Sequence, residues 1–355
     1  LSMRSPLRRA RVPLFAALAA TLYGALALDA QERQQLRQSQ APAPTTTQQQ
    51  RVFEPPPNVE MREVVIWSDG YRLDGDVFSP KGLADGEKLP GILLSHGWGG
   101  TKTSSRRTAA KFAAAGYVAL GFSYRTWGKS EGPMILVDGM PQLGESNEAT
   151  VKVRFVREVV DPLAWASDFQ HALDFLVGEP HVHPGRIGIW GTSYGGGMVI
   201  WSAAHDDRPK AVVSQVGGMG VAWPEMAAVA EKRQTDIARG DMEPIPQAID
   251  RTGELRGTPN FAHMIRYDAV AVAHRVKVPT LLIDAENEEL FDRRDHGGRV
   301  FEILRTHGNA PVRQVVMPGI THYGIYREGF EESTDLALEW FDLHLKGKRR
   351  MAAAQ

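Results

Sequence analysis

From about residue 60 onward, short apolar runs of strand length alternate with amphipathic stretches of helix length. No other feature constrains the chain as much. Residues 64–67 and 71–78 read as two strands joined by a Ser68-Asp69-Gly70 turn. Further strands are expected at 91–95, 117–122, 186–190, 211–214, 280–283 and 312–317. Helices are expected near 104–115, from Tyr194, near 293–307 and near 331–345. The first has Ala109, Phe112 and Ala113 on one side, and the last has Leu336, Trp340 and Leu343. Another helix opens at Asp161-Pro162, an N-cap followed by a first-turn proline, and carries Trp165, Phe169, Ala172, Leu173 and Leu176 as its apolar stripe. Strands that alternate with helices imply a mainly parallel sheet covered on both faces. The two opening strands, with no helix between them, suggest an antiparallel entry.

Composition closes off several other classes. Hydrophobic residues make up 43% of the 355 and charged residues 23%, so a disordered, fibrous or multi-span membrane chain is excluded. Forty-one basic residues stand against 42 acidic ones, a net charge of -1. A dedicated nucleic-acid binder normally carries a basic excess, so no nucleic-acid partner is expected. There is no cysteine, hence no disulfide framework, no thiolate metal site and no cysteine nucleophile.

The N-terminal segment reads differently. Met3 is expected to be the natural start. Arg4, Arg8, Arg9 and Arg11 precede an uncharged apolar run at 12–28, and Ala25-Leu26-Ala27 or Leu28-Asp29-Ala30 supplies a small-residue cleavage site. Residues 1–30 therefore read as a signal peptide, with an uncleaved membrane anchor as the alternative. Export to the periplasm or the medium is expected, with no stable membrane association after cleavage. Removal takes four Arg and one Asp and leaves a mildly acidic chain. Residues 31–57 are rich in Gln, Pro and Thr and read as a disordered linker. A single domain follows over 58–350. Two stretches break its rhythm, 132–160 and about 219–267. The second contains a helical piece at 224–239 and is expected to form a cap.

Gly191-Thr192-Ser193-Tyr194-Gly195 fits G-x-S-x-G and lies between an apolar strand and a helix. That context turns a weak motif into a strong one. A tight strand-to-helix turn projects a serine hydroxyl at the strand's C-terminal end. The helix N-terminus supplies positive potential where negative charge develops. Acyl transfer at such a serine needs two backbone N–H donors for the oxyanion. Tyr194 follows the serine directly. The loop His96-Gly97-Trp98-Gly99-Gly100 offers Trp98 first and Gly97 second, with His96 itself structural. The hydroxyl also needs a base. In folds built around such a nucleophile turn the triad follows the order Ser, acid, His, so the base is expected after the last strand and before the final helix. Of the eleven histidines, only His322 sits there. The orienting carboxylate belongs just past the strand at 280–283, where Asp284, Glu288 and Asp292 all compete.

Together these residues resemble the α/β-hydrolase family, whose Ser, acid, His order they follow. HGWGG, GTSYGG and the Asp161-Pro162 helix are similar to the branch of dienelactone-hydrolase-like and Xaa-Pro-dipeptidyl-peptidase-like proteins. The resemblance covers about residues 60–348. It implies an α/β fold with a mostly parallel eight-stranded sheet, helices on both faces and a small helical cap. Relatives often read G-x-x-D-x-x-(apolar) after the acid-bearing strand. Ala285 to Phe291 fits that frame with Glu288 in the acid place. True dienelactone hydrolases use a cysteine where this chain has Ser193. Relatives also carry Asp-x-Arg-Gly-x-Gly-x-Ser-x-Gly after the fourth strand. Residues 123–132 keep its Arg-x-x-Gly-x-Ser-x-Gly frame and read as structural.

The expected activity is that of a secreted serine carboxylic-ester hydrolase using Ser193, His322 and Glu288. Oxyanion donors are Trp98 and Tyr194, which also serve as substrate-binding residues. An Xaa-Pro-type peptidase or amidase is the alternative, with Glu145 and Glu148, or the acids of the cap, as candidates to receive a peptide N-terminus. Trp127, Trp223 and Tyr323 are further candidates for an aromatic pocket. No metal or organic cofactor is expected. The partner is a small-molecule or polymeric ester.

Overall fold

The structure is a computed structural model and describes residues 53–220, 227–242, 255–308 and 310–348. The segment read as a signal peptide, most of the expected linker and Trp223 lie outside the described residues, as does part of the stretch expected to form a cap.

The chain builds an eight-stranded sheet from β1 (Val59–Ser68), β2 (Tyr71–Pro80), β3 (Leu89–Ser95), β4 (Val118–Phe122), β5 (Val182–Thr192), β6 (Pro209–Gln215), β7 (Thr280–Asn287) and β8 (Val312–Thr321). Spatial order is β1-β2-β4-β3-β5-β6-β7-β8. Only β2 runs against its neighbours, pairing antiparallel with both β1 and β4. The remaining ladders are parallel. The order doubles back at β3 and β4, and ligands bind past the carboxyl ends of the strands at such a switch.

Among the described residues, six helices of eleven or more residues pack around the sheet or lie in the stretch expected to form a cap: α1 (Lys102–Ala114), α2 (Pro162–Gly178), α3 (Tyr194–His205), α4 (Ala227–Arg239), α5 (Gly297–His307) and α6 (Phe330–Lys346). Successive strand residues point to opposite faces. Leu93 and Val212 therefore join a core with Trp165, Phe169 and Leu173 of α2, Met198 and Val199 of α3, and Val300 and Leu304 of α5. Ile92, Leu94 and Val213 join a second core with Phe112 of α1 and Phe341 and Leu345 of α6. The stripe expected on α6 is corrected. Its buried face runs through Ala337, Leu338, Phe341 and Leu345, and Leu336 and Leu343 sit at its margins. Trp340 is itself buried on the flank of that face, so three apolar residues at near-helical spacing marked its edge.

At α2 the Asp161 carboxylate accepts the Ala164 N–H at 3.0 Å, with Pro162 opening the helix. Residues 123–132 act as a buried brace. The Arg125 guanidinium donates to Asp168 at 2.7 Å, and Asp168 is fully buried. The stretch 132–160 contains a small hairpin, Met134–Leu136 with Val153–Phe155, and a two-residue strand at Val159–Val160 that pairs with Thr258–Pro259. Helix α4 lies in the stretch expected to form a cap, as do the two-residue strand Thr258–Pro259 and the short helix Phe261–Met264. No described helix is long and apolar enough to cross a membrane.

Candidate active site

Ser193 ends the turn between β5 and α3. Its backbone sits at φ 56 and ψ -127, a region that residues other than glycine rarely occupy. Strain of that kind costs about 1–3 kcal/mol and persists only where the surroundings enforce it. Here the neighbours do so. A Cβ on Gly191 would meet the Gly195 carbonyl oxygen at 2.0 Å, and one on Gly195 would meet the carbonyls of Ser95 and His96 at 2.6 Å. The Ser193 N–H donates to Gln215 O at 2.9 Å, and the Ser193 carbonyl accepts from Gly196 and Gly218. The turn is therefore fixed from both strands and from the helix it starts.

Three side chains from three separate loops meet at this point. His322 lies just past β8, and its Nε2 is 2.9 Å from Ser193 Oγ. Its Nδ1 is 2.8 Å from Glu288 Oε2, contributed by the loop after β7. The His322 and Glu288 side chains are almost fully buried, at 1% and 3% exposure. That burial keeps water from competing for the bonds that orient the ring. The other Glu288 oxygen accepts the Leu290 N–H at 2.9 Å, which fixes the carboxylate's rotation.

The competing acids are engaged elsewhere. Asp284 is buried and accepts from Gln314 Nε2 at 2.7 Å. Burial pushes its pKa up to about 6, against the opposing effect of the Gln314 hydrogen bond. Asp292 pairs with Arg294, whose hydrogen bonds hold its carboxyl down at about 2.

The 96–100 loop runs beside the serine. A Cβ on Gly97 would lie 2.8 Å from Ser193 Cβ and 3.3 Å from its Oγ. Tyr194 is the first residue of α3, so its N–H has no acceptor one turn earlier in the helix. His96 is buried and packs against Tyr124 and Trp165. Its Nδ1 lies 2.8 Å from Gly97 O, and burial pushes its pKa down to about 4. It holds the loop as a neutral ring.

Of the expected aromatic lining, Trp98 stacks edge-on to Tyr194 at 5.8 Å and donates Nε1–H to Arg256 O. Tyr323 is exposed beside His322. Trp127 is corrected: it is buried against Trp165 and donates to Val159 O, so it packs the core. Sequence reasoning missed Phe291, whose ring stands edge-on to His322 at 5.7 Å. It also missed Tyr326, whose hydroxyl lies 2.8 Å from Thr192 Oγ1. A cavity of about 450 Å³ lies between α2, α4 and the segment 258–263, with Asp161, His263 and Arg233 on its walls. Neither Ser193 nor His322 lines it, so the chemistry is located by the Ser–His–Glu contacts and not by this void.

Comparison with known proteins follows the same division. Residues 69–232 match the model of the X-Pro dipeptidyl-peptidase (S15) family. Residues 164–348, just over half of the chain, match that of the prolyl oligopeptidase family. The quorum-quenching protein AidA of Acinetobacter baumannii is 35% identical over 127 residues, 36% of this chain and 34% of that protein. Thiohydrolase aneE of Aspergillus aculeatus is 27% identical over 201 residues, 54% of this chain and 55% of that one. The chain thus spans between a third and a little over half of the length of these relatives. Among solved structures, a hypothetical protein of Pseudomonas aeruginosa superposes with a TM-score of 0.64 at 22% identity, over 82% of this chain and 96% of that one. Sheet order, strained serine turn and matched families coincide on the same residues, and the chain belongs to the prolyl oligopeptidase family of α/β hydrolases.

Proposed function

We propose that the protein hydrolyses carboxylic esters through an acyl-enzyme on Ser193. The observation that carries this reading is the 2.9 Å contact between His322 Nε2 and Ser193 Oγ, with Glu288 on the other ring nitrogen. His322 takes the Ser193 proton as Oγ attacks the acyl carbon. The Tyr194 and Trp98 amides hold the oxyanion. Glu288 fixes the tautomer and stabilises the imidazolium. The same proton then leaves on the alcohol. Water, deprotonated by His322, attacks the acyl carbon and releases the acid, and Ser193 regains its proton.

Ester preference rests on where the carboxylates are spent. A peptidase that trims from a free N-terminus needs an acid to receive the ammonium group. Among the described residues, Glu288 and Glu289 are bonded to His322, Asp161 to His263 and Asn260, and Glu158 to Arg256. Glu145 and Glu148 are exposed on the loop between the hairpin strands. The groups packed around His322 are instead the aromatic Phe291, Tyr323 and Tyr326. A panel of p-nitrophenyl esters assayed against an Xaa-Pro p-nitroanilide tests the preference. Faster turnover of the esters is expected, and faster turnover of the anilide reverses the reading.

Loop placement makes a second expectation. Gly97→Ala puts a methyl group against Ser193, so the 96–100 loop must retreat. Losing one oxyanion donor outright costs about 3 kcal/mol, and partial displacement is expected to lower kcat roughly 10- to 100-fold. Steady-state kinetics should show KM little changed.

A further inference from the structure

We infer that Glu289 is a positioning residue for His322, and that the run Glu286 to Glu289 holds the histidine loop at both ends. This rests on the ester-hydrolase reading above. Consecutive acids of one loop reach the same residue in different ways. Glu288 meets the imidazole ring, whereas Glu289 Oε2 accepts the His322 main-chain N–H at 2.7 Å. His322 follows the last residue of β8 and precedes the turn at Gly324–Tyr326, so neither a ladder nor a helix uses that amide. A carboxylate supplies a charge-assisted bond, stronger than a neutral one.

The upstream end of the loop is held similarly. Between Ala285↔Met317 and Asn287↔Thr321 the β7–β8 register shifts, with more residues on β8 than on β7. Bulges of this kind re-aim side chains beside active sites and leave an amide outside the ladder. Gly319 sits inside this one at φ 69, and its N–H donates to Glu286 Oε2 at 2.8 Å. Side chains from one strand end thus fix residues 319–322. With the main chain of His322 pinned, the ring is free to turn only about its own side-chain torsions. Glu288 and Ser193 then hold those torsions. A ring misplaced by an ångström can cost about a hundredfold in rate, so the pin matters even though it touches no reacting atom.

The test compares Glu289→Ala, Glu289→Gln and wild type by steady-state ester kinetics, with fluorophosphonate labelling of Ser193 as a second measurement. Glu289→Ala removes the acceptor. It is expected to lower kcat and the labelling rate about tenfold, with KM within about twofold of wild type. Glu289→Gln keeps an oxygen at the same reach and is expected to restore most of kcat. Rescue by Gln together with a kcat effect at constant KM separates positioning from general loss of fold, which would lower the amount of labelled protein and not its rate. Wild-type kcat and labelling rate in Glu289→Ala overturn the inference, as does a Gln variant as slow as the Ala variant. Failure of the underlying reading looks different: wild-type protein would then turn over an Xaa-Pro p-nitroanilide faster than the esters, or would not be labelled at Ser193 at all.

Discussion

Ser193→Ala is expected to lower kcat for a short p-nitrophenyl ester by about 10⁶-fold, the order of loss when the nucleophile of a serine triad is removed. Its melting temperature should stay close to that of the wild type. The substitution deletes one oxygen and keeps Cβ, so the strained turn at φ 56 is retained and the packing around Gly191 and Gly195 is untouched. What is lost is the atom that forms the acyl bond. The oxyanion amides and substrate contacts survive, which is why residual catalysis above the rate in water is expected. Turnover within tenfold of wild type would falsify the assignment of Ser193 as nucleophile. Labelling by a fluorophosphonate should disappear in parallel, while circular dichroism remains unchanged.

The parts of this site that were legible in the sequence are those written in local chemistry. Gly191 and Gly195 are forced by backbone approaches of 2.6 Å or less, and such requirements leave a fixed residue pattern around Ser193. His322 stood out because a single histidine lies between the last strand and the last helix. Short apolar runs of strand length and the 3.6-residue period likewise announced each strand of the sheet and most helices. The illegible parts depend on tertiary neighbours. Asp284, Glu288 and Asp292 are equivalent as letters. Only the resemblance frame over residues 285–291 favoured Glu288, and it is the course of the loop after β7 that brings its carboxylate to His322. Trp127 reads like a pocket aromatic until Val159 O is found on its indole N–H. Glu289 was invisible for another reason: its partner is a main-chain amide, which every residue has. The α6 stripe was read too narrowly: Trp340 joins the core and Leu336 packs against it, but the buried face is broader and also takes in Ala337, Leu338, Phe341 and Leu345.

Acidification is expected to destabilise the fold between pH 6.5 and 4, with Asp284 working against the trend. Burial holds His96 and His296 neutral, each with a pKa of about 4 in place of 6.5. The native protein therefore binds fewer protons than the unfolded chain across that interval. The stability these groups confer is complete above pH 6.5 and is lost as pH falls toward 4, about 3 kcal/mol for each histidine. Asp284 has the reverse sign. Its pKa is raised from 3.8 to about 6, so the native state binds more protons than the unfolded one between those values. It costs nothing near pH 4 and about 3 kcal/mol above pH 6. Asp168, pushed up by burial against its Arg125 hydrogen bonds, acts in the same sense as Asp284. Two losses of this size exceed the gain from Asp284, so the urea midpoint should fall on acidification. Asp284→Asn isolates the opposing contribution, since its amide oxygen still accepts from Gln314 Nε2. The variant should be more stable than wild type by up to about 3 kcal/mol at pH 8, and equal to it near pH 4. A stability difference that does not change with pH would show that Asp284 is not the buried acid titrating near pH 6, and the destabilisation on acidification would then have to be assigned to the histidines with no offset.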